Sequence, residues 1–219
     1  MSTSSADLID AIRRGDEEVV AAALKAQPSL AASRDENGVS AFMWASYVRQ
    51  LVVRDLLRAA LPSLDVFEAI AAGDDERVLD LLAAQPALTQ AWSGDGFTAL
   101  HFAGFFCRPV VAERLLLLGA DPGVAARNPM RVTPLHSAVS AHCMEVVRLL
   151  LARGVPADAQ QQEGWTVLMS AATHGDETLA DLLLAHGANP AVKADNGQTA
   201  ADMAAEKGHA ALAMKLRPA

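Results

Sequence analysis

Short apolar blocks recur along the chain at regular intervals, separated by turn-forming pairs. In the second half Thr98, Thr133, Thr166 and Thr199 head the strings TALHFA, TPLHSA, TVLMSA and TAADMA, spaced 35, 33 and 33 residues apart. The first three are followed by a second apolar stretch containing a glycine: VVAERLLLLGAD, EVVRLLLARGVP and LADLLLAHGAN. Asn37-Gly38, Asp95-Gly96 and Asn196-Gly197 mark turns, because Asn, Asp and Gly tolerate positive φ. A threonine ahead of Pro or Ala can cap a first helix with its hydroxyl. The alanines at 11, 45, 69, 103, 138, 171 and 204 fall where two helices must approach closely, and the leucine triplets of the second helices then cover the next unit. One such helix pair cannot bury its apolar face alone, so the pattern predicts an obligatory stack of helix–turn–helix units.

A longer period runs through the N-terminal half. A shift of 58 residues brings Ala11-Ile12, Gly15-Asp16, Glu18 and Val20 onto Ala69-Ile70, Gly73-Asp74, Glu76 and Val78. The match continues from Ala26-Gln27-Pro28 to Ala84-Gln85-Pro86, and then from Gly38, Ala41 and Ala45 to Gly96, Ala99 and Ala103. This half is a tandem duplication.

These strings resemble the ankyrin repeat, a unit of about 33 residues built from a β-turn and two antiparallel helices. The likeness is tightest in VTPLHSA with EVVRLLLARG, from Val132 to Gly154, and covers nearly the whole chain. It implies an all-α solenoid forming a single domain of about seven units, approximately 5–34, 35–63, 64–92, 93–127, 128–160, 161–193 and 194–219, with short hairpin or loop tips. A stand-alone array of this Ala-rich, acidic kind is similar to bacterial members of the family. The second unit runs from a helix over 50–60 directly into Leu64, so Pro62-Ser63 is expected to break and cap there and to alter the stacking angle.

Composition narrows the partners. The chain is 52% hydrophobic but only 5% aromatic, and it carries a net charge of −8 with no basic run. A duplex nucleic acid or an anionic membrane surface would repel such a body. The N-terminus lacks the basic start and apolar stretch of a secretory signal, and runs such as Leu115–Leu118 are too short to span a bilayer. With only Cys107 and Cys143, two reduced thiols in a cytoplasmic protein are expected, although equivalent turns of adjacent units could bring the two within reach.

No chemistry assembles from the motifs. Phosphate-binding, nucleophile-elbow and zinc-helix signatures are absent. His136 and Ser137 are neighbours on a helix and point about 100° apart. In the resembled family the imidazole of the Thr-x-Leu-His string, here His101 and His136, hydrogen-bonds between neighbouring repeats, and His209 is also at a family position. Cys107, Cys143 and His142 fall one ligand short of a structural zinc site. The acidic clusters at 16–18 and 74–76 suit helix N-termini, where carboxylates are favoured by about 0.3–1 kcal/mol each. No catalytic residue, metal or cofactor is expected.

The resemblance instead implies a non-catalytic module that binds a protein on the concave face, through the hairpin tips and the ends of the first helices. Val39, Phe97, Arg131, Trp165 and Gln198 occupy the tip place between the turn glycine and the threonine. The helix ends supply Tyr47-Val48, Phe105-Phe106, Ser140-Ala141, Thr173-His174 and Glu206-Lys207. Tyr47, Phe97, Phe105, Phe106 and Trp165 are half of the ten aromatics, which marks them with Val48, Arg131, Thr173 and His174 as candidate partner-binding residues. Phe97 and Trp165 could equally pack tip against tip, and Trp44 and Phe102 suit the core. A monomer is expected, with a self-associating dimer the first alternative and an enzyme or small-ligand receptor, which would need an enclosed polar pocket, the second. Arg49, Cys107 and His142 stand where the family has glycine between helices, so those loops are expected to change shape and widen the groove. An insertion of two residues within 121–130 lengthens one tip.

Overall fold

The computed structural model describes residues 4–217. Its helices come in seven pairs: α1 (Ser5–Arg14) with α2 (Glu17–Ala26), α3 (Ala41–Tyr47) with α4 (Leu51–Ala60), α5 (Val66–Ala72) with α6 (Asp75–Ala84), α7 (Ala99–Phe105) with α8 (Pro109–Leu117), α9 (Pro134–Ser140) with α10 (Met144–Ala152), α11 (Val167–His174) with α12 (Glu177–Ala185), and α13 (Ala200–Glu206) with α14 (Ala210–Leu216). By internal packing the chain divides between Ala99 and Leu100 into two compact units. In the first, α1 packs on α3, α3 on α5 and α2 on α4. In the second, α9 packs on α11, α11 on α13 and α8 on α10.

The periodic alanines explain the stacking. All seven are at most 1% exposed, which lets backbones approach closely. Second-helix leucines such as Leu115, Leu150 and Leu183 are fully buried in the second unit. The first helices start where the pattern places a hydroxyl or carboxylate. Ser40, Thr166 and Thr199 accept from the backbone three residues on, and capping boxes form at Thr133, Thr166 and Thr199. At the shortened second repeat the cap is Asp65, not Ser63. Its carboxylate accepts from Phe67 and Glu68 N–H, Glu68 reciprocates, and Arg34 reaches Asp65 at 3.0 Å. A carboxylate both caps and pairs with a guanidinium, which a serine hydroxyl cannot do.

The 58-residue duplication is reproduced in the elements. Helix α2 recurs as α6, and α3 as α7, at the same offset. So do two 3-10 turns absent from the sequence-based expectation, Pro28–Ala32 and Pro86–Gln90. Each has proline at its first position, which ends the preceding helix and presets φ for a new turn.

One inter-helix turn is used seven times. In the first copy, Gly15 N–H donates to Ile12 O and Asp16 N–H to Ala11 O. The same two bonds recur at 49–50, 73–74, 107–108, 142–143, 175–176 and 208–209. Arg49, Cys107 and His142 hold φ of 57°, 51° and 52° to keep it. The expected change of loop shape therefore does not occur, because the flanking helices dictate the turn and the side chain bears a strain of about 1 kcal/mol.

The tips are single antiparallel bridges, Arg34↔Ser40 in the first unit and Gln160↔Thr166 and Lys193↔Thr199 in the second, with Trp92↔Thr98 preceding α7. An N–H closes each on a carbonyl four residues on, as Asp35 does with Val39 and Gln161 with Trp165. In the long tip the bond runs from Ala126 to Val132, so the two extra residues lie between them.

Candidate functional site

In the first unit Trp44 and Tyr47 of α3 belong to a polar network, while Phe42 of the same helix is buried in the core. Trp44 Nε1 donates to Asp35 Oδ2 at 2.9 Å, the Arg13 guanidinium lies 3.9 Å from the Trp44 ring centre, and Arg13 approaches Asp35 at 3.6 Å. Trp44 is thus half-buried at the surface rather than part of the core. Tyr47 packs edge-on to Trp44 at 5.9 Å and donates its hydroxyl to Asp95 Oδ2 at 2.5 Å. Burial first, and the Asp95 charge second, push the phenol pKa far above its ordinary value and keep it protonated. Val48 is exposed, Phe97 is half-buried, and Val39, expected to project from its tip, is buried. Tyr47 and Phe97 therefore sit on opposite sides of Asp95 in sequence, and the hydroxyl of Tyr47 is committed to that tip.

The end of α7 in the second unit carries three phenylalanines. Phe102 is buried, as expected, and stacks on Phe106 with ring centres 6.2 Å apart. Phe106 is half-buried, and Phe105, 40% exposed, meets it edge-on at 5.1 Å. The pair is thus unequal: Phe106 rests on the core and Phe105 presents a ring to solvent.

Two histidines tie this unit's repeats together, as the resemblance implied. His101 Nε2 lies 3.0 Å from Val132 O, and His136 Nε2 lies 3.4 Å from Trp165 O. His136 Nδ1 receives the Thr133 N–H at 3.3 Å, which leaves Nε2 as the protonated nitrogen. Burial lowers both pKa values to about 4, against the partial support of the carbonyl bonds. With both nitrogens engaged, His136 has none left to activate Ser137.

Ser170 joins two further candidates. Its hydroxyl accepts from Trp165 Nε1 at 3.0 Å, and its carbonyl lies 2.8 Å from His174 Nδ1. Thr173 bonds back to Met169 O at 2.8 Å. His174 packs edge-on against His142, whose Nδ1 is 3.8 Å from Asp176. Ser140, His142, Ser170, His174 and Asp176 rim a cleft of about 50 Å³, room for a water or two rather than a substrate. A second, open groove of about 180 Å³ runs between the long tip and the next, lined by Met130, Val132, Gln162 and Trp165 and closed at one point by Gln162 N–H on Met130 O.

Arg131 requires a correction of register. It holds φ of 50° and donates its N–H to Asn128 O, which is the role of Gly96 on Ser93 O. Val132, whose carbonyl closes the tip, takes the place between turn residue and threonine assigned above to Arg131. The long tip lacks a glycine to mark its turn, and a left-handed arginine leaves no signal in sequence. Arg131 remains exposed beside the groove.

Cys107 and Cys143 form a disulfide between consecutive inter-helix turns, with Cα atoms 5.3 Å apart. This overturns the expectation of two reduced thiols: identical turns on adjacent helix pairs put the two side chains face to face. Among the described residues, Cys107, Cys143 and Glu145 are the group whose ligand atoms lie within 4.8 Å of one another, but both sulfurs are bonded to each other. No helix among the described residues is long and apolar enough to cross a membrane.

Comparison with known proteins agrees with this geometry. The family model for ankyrin repeats (3 copies) matches residues 66–160 and 147–217. The chain is 45% identical to human neurogenic locus notch homolog protein 4 over 93 residues, 42% of this chain and 4% of that protein. It is 35% identical to the Drosophila melanogaster neurogenic locus Notch protein over 55% of this chain and 5% of that one. With the mouse B-cell lymphoma 3 protein homolog it shares 34% over 58% of this chain, spanning 29% of the relative. The chain thus spans only a small part of the relatives it matches.

Proposed function

Since the chain belongs to the ankyrin repeat family, we propose that it is a non-catalytic module that grips a partner protein through its hairpin tips and first-helix ends. Ankyrin repeats generally mediate protein–protein interaction, which sets the class of function. The observation that carries the finer reading is Phe105. A large aromatic ring 40% open to solvent, braced edge-on by Phe106, offers an anchor at a helix end that needs no apolar side chain for its own stability. Trp165, Arg131, Thr173 and His174 lie on tips and helix ends of the same unit and would contribute a mixed aromatic and polar rim. A standard interface would bury about 800 Å² on this side.

The test uses Phe105→Arg alone, because a charge at Phe106 would also disturb its stacking on Phe102. Immobilised wild type and variant are compared for proteins retained from host lysate. A protein held by the wild type and lost by the variant, with the thermal midpoint unchanged, supports the proposal. Retention of the same proteins by both would remove Phe105 from any docking role.

A further inference from the structure

The two cysteines differ in access, which governs where a disulfide is attacked. Cys107 is exposed in the turn between α7 and α8, whereas Cys143 is 1% exposed at the N-cap of α10. Exposed disulfides are the ones that exchange readily, and access decides which sulfur is attacked. The backbone geometry of these turns does not require a crosslink. The same two backbone bonds hold five other inter-helix turns that contain no sulfur. Gly104 also brings α7 against α9 directly: a Cβ there would lie 2.9 Å from Pro134 O and 3.0 Å from Ala138 N. Opening the bond therefore leaves both turns folded and the two sulfurs in register to close again.

We infer that Cys107–Cys143 is a thiol–disulfide exchange site, opened by a low-molecular-mass thiol of the glutathione class attacking Cys107 Sγ. The incoming thiolate forms a bond to Cys107 Sγ while the Sγ–Sγ bond breaks, and Cys143 leaves as a thiolate that takes a proton from water. A second small thiol attacks the mixed disulfide at the small-molecule sulfur, so two small thiols are oxidised to their disulfide and the protein is reduced by two electrons. In the reverse direction Cys143 displaces the small thiol from Cys107. Glu145 lies 3.9 Å from Cys143 Sγ, and its negative charge opposes release of the Cys143 thiolate, holding the closed form. The site is defined by its own chemistry and does not depend on what docks beside it.

The experiment incubates the full chain with reduced glutathione under native conditions, then alkylates and reads each cysteine by mass spectrometry. The wild type is expected to release two thiols with an unchanged circular dichroism spectrum, and to re-form the bond when transferred to oxidised glutathione. In Cys143→Ser, oxidised glutathione should mark Cys107; in Cys107→Ser, Cys143 should be marked slower by on the order of ten-fold. Glu145→Gln should open faster. Release of thiols only as the protein unfolds, or equal marking of the two cysteines, would overturn the inference.

Discussion

Burial takes the imidazoles of His101 and His136 down to about 4, and the consequence is a pH dependence that a surface histidine would not produce. In the unfolded chain each ring has its ordinary value near 6.5 and protonates below it, while in the folded chain each stays neutral to about 4. The unfolded state therefore binds more protons between these limits, and folding stability falls as pH drops through that window. Each histidine contributes on the order of 3 kcal/mol that is present above pH 6.5 and lost by pH 4. Denaturant titrations at pH 7 and 4.5 check this against a His101→Gln/His136→Gln variant, whose midpoint should move less between the two. An equal shift in both proteins would show that carboxylates alone account for the acid sensitivity. At the same scale, the fourth place of the Thr-x-Leu-His string was legible as an inter-repeat bond, but the acceptors, Val132 O and Trp165 O, lie 31 and 29 residues away and were not.

Among the elements of the second unit, α7 meets α9 backbone to backbone at Gly104. Replacing Gly104 by Ala adds a Cβ against backbone atoms, which cannot rotate away. The variant should lose about 1–2 kcal/mol, overpacking outweighing the helix propensity that alanine restores. A raised midpoint would show that α7 can shift without cost. The paired helices themselves were legible because their signals are local: a hydroxyl before the first helix, an alanine stripe, a leucine triplet, a glycine after. The register of the long tip was not, because Arg131 takes the left-handed place that glycine fills in the other tips. The caps at Asp65 and the 3-10 turns after α2 and α6 were also missed, although Gln-Pro at 27–28 and again at 85–86 was the available signal.

At the scale of a whole unit, each helix pair is held by its immediate neighbours within that unit, so a crosslink between adjacent pairs acts on a large share of local stability. The Cys107–Cys143 bond closes a separation of 36 residues. On chain-entropy grounds its loss should lower the unfolding free energy by about 2–4 kcal/mol without altering the folded helices. Urea unfolding with and without reductant measures this, and coincident curves would mean that the unfolded chain gains nothing from release. Residue order alone carries the repeat, the helix pairs and the buried alanine and leucine faces: the first shows as recurring strings, and the others follow from periodicity within single helices. That Tyr47 bonds Asp95, that Phe106 rests on Phe102 while Phe105 stays open, and that Cys107 meets Cys143 emerges only once the chain is packed. Those outcomes depend on which side chains the turns aim at one another and on which rings the packing covers, and neither is set by the order of residues along one helix.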